Sequence, residues 1–257
     1  MNDYIRTKTK LNKMKDTIIT IRDLTRTFGN FTAVNKINFD IHEGEILGFL
    51  GPNGAGKTTT IKMIIGLLNI SSGIISLRGE DISKNRDKMK SVMGYMSQKS
   101  SLYPKLTPLE NIEFFGGISG LKKKEILQKK DEISKLVPVE FLKIITEKLP
   151  PGIKQKIALF IALIPNPEII LLDEPTSGVD PDVRREFWFD IYNLKKSGKT
   201  ILVSTHNLDE VEYTDRILIL HRGNIIMEGK PHELKIKHNS KSIEELFKGA
   251  ILKYEEN

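Results

Sequence analysis

The sequence predicts an α/β fold with a mostly parallel sheet, a smaller antiparallel β flank and a helical insert. Short runs rich in Ile, Val and Leu recur along the chain, and several are apolar throughout, which is typical of parallel strands buried on both faces. Helical patterns separate these runs, as they do in β-α-β units. A middle segment carries few strand signals. The runs that we interpret as strands are Ile18–Ile21, Ile46–Leu50, Ile169–Leu172, Ile201–Ser204 and Ile217–Leu220.

The order of these patterns suggests how the chain is organised. The strand-rich stretch from Thr17 to Leu50 predicts the antiparallel flank, and residues 100–155 predict the helical insert, with a Lys/Glu-rich helical pattern over Leu109–Leu136. Apolar residues at helical spacing after Ser240 predict an amphipathic C-terminal helix, to which we assign no function.

Three segments follow from this reading. We expect a basic N-terminal extension over 1–16, an α/β domain over 17–238 that contains the helical insert, and a helical tail over 239–257. The extension has two interpretations, a contact with anionic lipid or a solvated tail.

Composition excludes several functional classes. The chain has 257 residues, 39% of them hydrophobic, which is enough for a sizeable core. It has no cysteine, which excludes disulfides, thiolate metal sites and cysteine nucleophiles and fits a reducing cytoplasm. Its net charge is +7, but Lys and acidic residues are interleaved, so we expect a solvated surface and no specific nucleic-acid partner. No run approaches the roughly 20 apolar residues of a membrane helix, so a membrane role requires a spanning partner.

A glycine-rich loop is the strongest single motif. It follows the apolar run that ends at Leu50, opens a predicted helix and matches G-x-x-x-x-G-K-[ST] in full. Such a loop turns backbone N–H groups toward phosphate oxygens, and the helix dipole adds to the attraction. We expect Lys57 to bind the β and γ phosphates and the Thr58 hydroxyl to bind magnesium. The predicted nucleotide-binding residues here are Gly51, Pro52, Asn53, Gly54, Ala55, Gly56, Lys57, Thr58 and Thr59.

An acidic pair ends the apolar run Ile169–Leu172. We expect Asp173 to hold magnesium and Glu174 to polarise the water that attacks the terminal phosphate. An apolar run followed by Asp-Glu is common on its own and often marks a helix cap. Its occurrence after a complete phosphate-binding loop favours nucleotide hydrolysis.

The residues that follow make the resemblance specific. The segment Asp173-Glu174-Pro175-Thr176-Ser177-Gly178-Val179-Asp180-Pro181 resembles the magnesium-strand and dimer-contact segment of ABC transporter ATP-binding subunits. Phe28, Gln98 and His206 also match, in order, that family's adenine-stacking, glutamine-loop and switch-histidine positions. Alone, these three would be interpreted as a core aromatic, a surface amide and a strand-end histidine. The resemblance covers roughly residues 18–234.

The resemblance implies a P-loop NTPase core with ATP and Mg²⁺ as its ligands. It assigns catalytic roles to Lys57, Gln98, Glu174 and His206, and magnesium contacts to Thr58, Gln98 and Asp173. Phe28 would stack on the base. Asp180 would contribute to the nucleotide site from the dimer-contact segment.

One motif departs from the family pattern. The family's Leu-Ser-Gly-Gly-Gln signature, which caps ATP bound to the opposite subunit, is replaced here by Leu149-Pro150-Pro151-Gly152-Ile153. A hydroxyl and an N–H donor are lost, while the amides of Gly152 and Ile153 and the helix dipole remain. We expect hydrolysis to be retained but weakened. This Leu-Pro-x-Gly form and the segment Arg184–Trp188 resemble the drug-export branch of the family.

The predicted function is therefore that of an ATP-hydrolysing motor subunit of an exporter. The resemblance implies a homodimer or heterodimer with a second ATP-binding subunit, a separate integral-membrane permease, and a peripheral position at the cytoplasmic face of the membrane. Two alternatives stay open: a soluble ABC ATPase without a transport role, and a regulatory ATP-binding partner of a more active cassette. The sequence does not identify the cargo.

Overall fold

Two β-sheets organise the part of the chain that the computed structural model describes, residues 16–82, 89, 91–98 and 101–256. Most of the predicted basic extension, residues 1–15, lies outside it. Ten strands are present in the described part: β1 Thr17–Phe28, β2 Phe31–His42, β3 Ile46–Leu50, β4 Ser72–Leu77, β5 Glu80–Asp81, β6 Met93–Met96, β7 Ile169–Asp173, β8 Thr200–Thr205, β9 Arg216–His221 and β10 Asn224–Gly229.

The larger sheet supports the predicted parallel core. Its order is β10-β9-β3-β8-β7-β6, and all its neighbouring pairs are parallel except β10 with β9. Every residue of β3, β7 and β8 is buried, as continuous apolar runs predict for strands covered on both faces. The four apolar runs assigned to this sheet are confirmed as strands.

The smaller sheet is antiparallel, with the order β2-β1-β4-β5. Its predicted extent was wrong in one respect: Ile46–Leu50 belongs to the parallel sheet, and the flank instead recruits β4 and β5 from beyond the glycine loop. The reason is burial, because a strand with no exposed residue needs cover on both faces, whereas β1 and β2 expose part of their surface.

Seven α-helices are described: α1 Lys57–Ile64, α2 Pro108–Ile118, α3 Lys123–Leu136, α4 Pro151–Ala162, α5 Pro181–Lys196, α6 Pro231–Lys237 and α7 Ile243–Glu255. The helical pattern predicted over Leu109–Leu136 is two helices, because Gly120 takes a φ of +78° and ends the first. Thr107 and Glu110 form a capping box at the start of α2, with Pro108 in its first turn.

The helical insert and the C-terminal helix pack on different parts of the larger sheet. Helices α2, α3 and α4 share an apolar cluster with α5 and with β7 and β8, centred on the buried Phe187 and Trp188. Helix α7, which confirms the predicted C-terminal helix, buries Ile243 and Leu246 against Leu50 and Ile219. Burying a large apolar side chain contributes about 1.5–3 kcal/mol. Both clusters therefore stabilise the larger sheet.

Candidate functional site

The carboxyl ends of the parallel strands bring the predicted residues together. The glycine loop follows β3, Asp173 ends β7, and His206 follows β8, while Gln98 lies two residues beyond β6. Parallel strands end at the same edge of a sheet, and ligands bind in the crevice outside that edge. Groups far apart in sequence therefore lie within hydrogen-bond distance of one another.

The glycines of the loop meet two separate demands. Gly54 and Gly56 have φ values of +83° and +104°, which side chains rarely adopt. A Cβ on Gly51 would lie 2.4 Å from the carbonyl oxygen of Leu220, and one on Gly56 would lie 2.8 Å from that of Ala33. Helix α1 starts at Lys57 without a side-chain cap or an acidic first turn, so its N-terminal N–H groups face the loop.

Lys57 is buried at the centre of the loop. Its Nζ donates to the carbonyl oxygens of Gly51 at 2.6 Å and Pro52 at 3.1 Å, and it lies 3.3 Å from Glu174 Oε1. Burial lowers the pKa of Lys57, although Glu174 and Asp173 act to raise it. The loop thus holds a cation in a dehydrated setting where an anion would interact with it strongly.

Asp173 provides a carboxylate with one free oxygen. Its Oδ1 accepts hydrogen bonds from Thr58 Oγ1 at 3.0 Å and Ser204 Oγ at 2.6 Å. Its Oδ2 is buried and has no hydrogen-bond partner. Such an orphaned oxygen, beside a threonine hydroxyl, fits a divalent cation that takes its remaining ligands from phosphate and water, as Mg²⁺ does. Within the described residues, no group of three or more His, Cys, Asp and Glu side chains forms a metal-binding cluster.

Glu174 is held by three side chains from different strands and loops. Gln98 Nε2 donates to its Oε2 at 2.8 Å, His206 Nδ1 lies 3.1 Å from the same oxygen, and Lys57 approaches the other oxygen. The backbone of Glu174 has a φ of +48°, an uncommon value for a residue with a side chain. Strain of this kind concentrates at functional sites.

The cleft beside the loop has an aromatic end. It encloses about 460 Å³ and is lined by Phe28, Phe31, Ala33, Asn53, Gly54, Ala55, Gly56, Lys57, Thr58, Thr59, Gln98 and Glu174. Phe28 and Phe31 face each other in the register of the β1–β2 hairpin. The guanidinium carbon of Arg26 lies over the Phe28 ring, 4.4 Å from its centre, and the Phe28 side chain remains partly exposed.

Gly51 and Pro52 do not line this cleft, but their carbonyl oxygens hold Lys57. Three further predicted nucleotide-binding residues also lie outside it. Gly152 and Ile153 lie in the first turn of α4, and Asp180 is the residue before α5 and makes no capping hydrogen bond. Gly152 packs so closely on α5 that a Cβ would lie 2.5 Å from Val183 Cγ1. Their assigned role concerns ATP bound to a second subunit, which lies outside this single chain.

Sequence reasoning missed two residues of the site. Ser204 bonds Asp173 and also accepts from the backbone N–H of Glu174 at 3.0 Å. A serine in an otherwise apolar buried strand was a usable signal, because buried hydroxyls need partners. Phe31 was detectable as an aromatic side chain in the turn region after Phe28. Neither position carries a motif of its own.

In the part of the chain that the structure describes, no helix is long and apolar enough to cross a membrane.

Comparison with protein-family models matches residues 34–177 to the ABC transporter family. A second model, described as an AAA domain and putative AbiEii toxin of a type IV toxin–antitoxin system, matches the shorter stretch 145–212.

Curated relatives give the same family. A probable multidrug ABC transporter ATP-binding protein, YbhF of Escherichia coli K12, is 45% identical over 224 residues. The alignment covers 86% of this chain but only 38% of YbhF, so the chain spans well under half of that relative's length. The Nod factor export ATP-binding protein I of Burkholderia lata is 37% identical over 220 residues, covering 84% of this chain and 72% of that protein.

Solved structures agree with the fold. An ATP-binding subunit of an ABC transporter superposes with a TM-score of 0.80 at 28% identity, covering 91% of this chain and all of that one. The dimeric bacterial cassette MJ0796 superposes with a TM-score of 0.75 at 27% identity, over 83% of this chain and 98% of that one. The same cassette has also been solved bound to ADP and Pi in a post-hydrolysis state. Together with the glycine loop and its cleft, these matches place the chain in the ABC transporter family, as an ATP-binding cassette.

Proposed function

We propose that this cassette hydrolyses ATP with Mg²⁺ and drives export through a separate membrane permease. The single observation that carries the proposal is the position of the Glu174 carboxylate, which is buried among Lys57, Gln98 and His206 beside the glycine loop. This arrangement supports a role for Glu174 as the base and for Lys57 as the cation that faces the terminal phosphate of a bound nucleotide.

The chemistry assigns each group a step. The loop N–H groups and Lys57 bind the β and γ phosphates and balance their charge. Glu174 accepts a proton from the attacking water. The oxygen of that water forms a bond to the γ phosphorus as the bond between this phosphorus and the ADP oxygen breaks. His206 orients the γ phosphate, and Gln98 positions the water. The aromatic end of the cleft, Phe28, stacks on the base.

Thr58 and Asp173 would hold Mg²⁺, with Gln98 on the same side of the site. When bound, the ion supplies positive charge to the phosphate oxygens. Ser204 fixes the orientation of Asp173 through a 2.6 Å hydrogen bond to Oδ1, which leaves Oδ2 as the oxygen available to the ion.

A second cassette completes the site in this proposal. The first-turn amides of α4, at Gly152 and Ile153, have no intrahelical partners and no acidic neighbour to occupy them. They would cap ATP bound to the opposite subunit, while Asp180 contributes from the dimer-contact segment. Pro151 is the first residue of the helix. The helix dipole therefore remains at this position, although the serine hydroxyl of the family signature is missing.

The surface of the helical insert supports a permease as partner. Tyr103 and Phe114 are partly exposed, with ring centres 4.6 Å apart, and Ile118 is largely exposed. Such an apolar patch suits a short amphipathic helix. Asn111 ties this patch to the loop after Gln98, because its side chain accepts from Tyr103 N and donates to the carbonyl oxygens of Tyr103, Leu106 and Thr107.

The proposed role as an export motor implies a location for the cassette. A cassette that pushes on a permease lies at the cytoplasmic face of the membrane, bound peripherally through that partner. The names of the relatives, which refer to multidrug transport and Nod factor export, favour export over import.

The test combines chemistry and partner. The chain is purified from its native membrane in mild detergent, its Mg²⁺-dependent ATPase is assayed, and Glu174→Gln is the matched control because it keeps size and removes the base. We expect the substitution to lower turnover by about 10²-fold or more while ATP binding persists, and a multi-span protein to co-purify. Unchanged turnover in the variant would overturn the hydrolytic mechanism, and recovery of soluble partners alone would favour a cassette without a transport role.

A further inference from the structure

A buried carboxylate behind the site has no role in the proposed hydrolysis. Glu210 is 1% exposed and lies in the 3₁₀ segment Leu208–Tyr213, four residues after His206. Charged side chains are almost never fully buried unless they are paired. Because Glu210 is buried, its carboxylate requires a bonding partner.

The partner is Thr176. Thr176 Oγ1 donates to Glu210 Oε1 at 2.6 Å, and both side chains are buried. Thr176 lies two residues after Glu174, in a turn closed by the hydrogen bond from Ser177 N to Glu174 O. A charge-assisted bond of this length in a dehydrated setting is stronger than a neutral surface bond.

This bond closes a ring of contacts around the catalytic groups. His206 Nδ1 meets Glu174 Oε2 at 3.1 Å on one side, and Thr176 bonds Glu210 on the other. Two short stretches of backbone, 174–176 and 206–210, connect the two contacts. The Thr176–Glu210 bond is therefore a second connection between the two segments that carry Glu174 and His206.

Arg184 links the ring to helix α5. Its Nε forms an ion pair with Glu210 Oε1 at 3.4 Å, but this nitrogen and Glu210 Oε2 are both buried without a hydrogen-bond partner. Arg184 Nε, a donor, and Glu210 Oε2, an acceptor, thus lie on neighbouring side chains without a hydrogen bond between them. A small movement of the start of α5, which follows the dimer-contact segment, would change how Glu210 is held.

We propose that Glu210 is a positioning residue that holds the His206 segment against the turn carrying Glu174 through its bond to Thr176. Arg184 adds sensitivity to the position of α5. This inference rests on the proposed function, because its effect on rate acts through the Glu174–His206 pair.

The variants follow from the geometry. Thr176→Val keeps the shape and removes the hydroxyl, whereas Thr176→Ser restores it. Thr214→Val is the matched control, because it removes a hydroxyl that bonds the backbone of the same segment, at Val211 O, and not the Glu210 carboxylate. We expect Thr176→Val to lower kcat about tenfold, consistent with the loss of about 1.4 kcal/mol of positioning, with KM for ATP changed less than about twofold. Thr176→Ser and Thr214→Val keep kcat near that of the parent chain.

A double-mutant cycle separates positioning from a general loss of structure. If Glu210 acts through His206, Thr176→Val lowers kcat in the parent but has no further effect in a His206→Ala background. Equal losses in both backgrounds, or an unchanged kcat in the parent background, would overturn the inference.

Hydrogen–deuterium exchange of residues 206–210 provides a readout that does not need turnover. We expect faster exchange in Thr176→Val than in the parent chain and in Thr176→Ser. Unchanged exchange overturns the inference whether or not the chain hydrolyses ATP. A parent chain that binds ATP without hydrolysing it contradicts the proposed function instead, so the two failures are distinguishable.

Discussion

The ammonium of Lys57 lies 3.3 Å from Glu174 Oε1, and both side chains are almost fully buried. The structure thus pairs the cation assigned to the phosphates with the carboxylate assigned to the attacking water. Lys57 has two further acceptors, the carbonyl oxygens of Gly51 and Pro52. A bound γ phosphate would compete for the same ammonium, so nucleotide binding would release Glu174 for its role as a base.

The lowered pKa of Lys57 predicts proton uptake when ATP binds at alkaline pH. Burial lowers this pKa below the ordinary value of 10.5 in the free chain, and bound phosphates raise it again. Between the lowered pKa of the free chain and the higher pKa of the complex, the free chain has lost a proton that the complex regains, so ATP affinity falls as pH rises through this window. Below the window both states are protonated and the linkage disappears. Calorimetry in two alkaline buffers with different ionisation heats measures the uptake.

Lys57→Arg is the matched control for this prediction, since arginine stays charged throughout the range. Its ATP binding should show no proton uptake from this position. The same uptake in the variant and the parent chain would assign the effect to another group.

Phe28→Ala should weaken ATP and GTP binding equally. Stacking on an aromatic side chain is worth about 1–3 kcal/mol per base, roughly a 5- to 150-fold change in Kd. Every base presents a π face, so the loss should not discriminate between them. Phe31→Ala should weaken binding to a smaller degree, because its side chain lies at the turn of the hairpin and is 64% exposed. Equilibrium dialysis with both nucleotides measures these constants.

Phe189→Ala serves as the control for the aromatic substitutions. This phenylalanine is also 64% exposed, but it lies on α5 and does not line the cleft. Its removal should leave both affinities unchanged. A loss specific to ATP in Phe28→Ala would contradict stacking as the main contribution.

Asp173→Asn should remove the part of ATP binding that depends on Mg²⁺. The substitution removes the negative charge of this side chain. The amide oxygen of the variant can still accept the hydrogen bonds from Thr58 and Ser204. Ser204→Ala should have a smaller effect, about 10- to 100-fold on metal affinity, as expected for a residue that orients a ligand. ATP titrations with Mg²⁺ and with EDTA measure the difference. An unchanged Mg²⁺ effect in Asp173→Asn would place the ion elsewhere.

Gly152→Ala should destabilise the fold through its contact with Val183. The added Cβ would lie 2.5 Å from Val183 Cγ1, so the Val183 side chain or one of the two helices must shift. Overpacking of this kind costs about 1–3 kcal/mol, which urea unfolding resolves. Adding Val183→Ala should recover most of the free energy of unfolding by making room. If the single variant is as stable as the parent chain, the glycine serves the signature segment alone.

The parallel core was predictable because its strands have an unusual composition. Ile46–Leu50 and Ile169–Leu172 are apolar without interruption, and only a strand buried on both faces tolerates this. The four-residue strand β6 and the half-buried β10 carry weaker patterns, and β4 was missed because its alternation is irregular. The break between α2 and α3 depends on the positive φ of Gly120. A glycine in a helical pattern permits such a break but does not require it, so the sequence did not predict it.

The site was predictable where one residue type is chemically required. The glycine loop, Asp173 and Glu174 follow from the chemistry of phosphate and magnesium, and their convergence follows from parallel strands. Ser204 and Glu210 act through contacts between residues distant in sequence, so a local pattern marks Ser204 only as a buried hydroxyl and does not identify the partner of either residue. The same applies to Gly152, because the side chain that would clash with a Cβ at this position is that of Val183 on another helix.

The glycine loop touches both sheets of the molecule. Gly56 lies against Ala33 of the antiparallel flank, Gly51 lies against Leu220 of the parallel sheet, and Gly223 N bonds Ala55 O from the turn after β9. These contacts tie the two ends of the loop to different sheets, while a Cβ on Gly54 at its tip would meet nothing within 4 Å. A change in the angle between the sheets would therefore change the shape of the phosphate-binding loop.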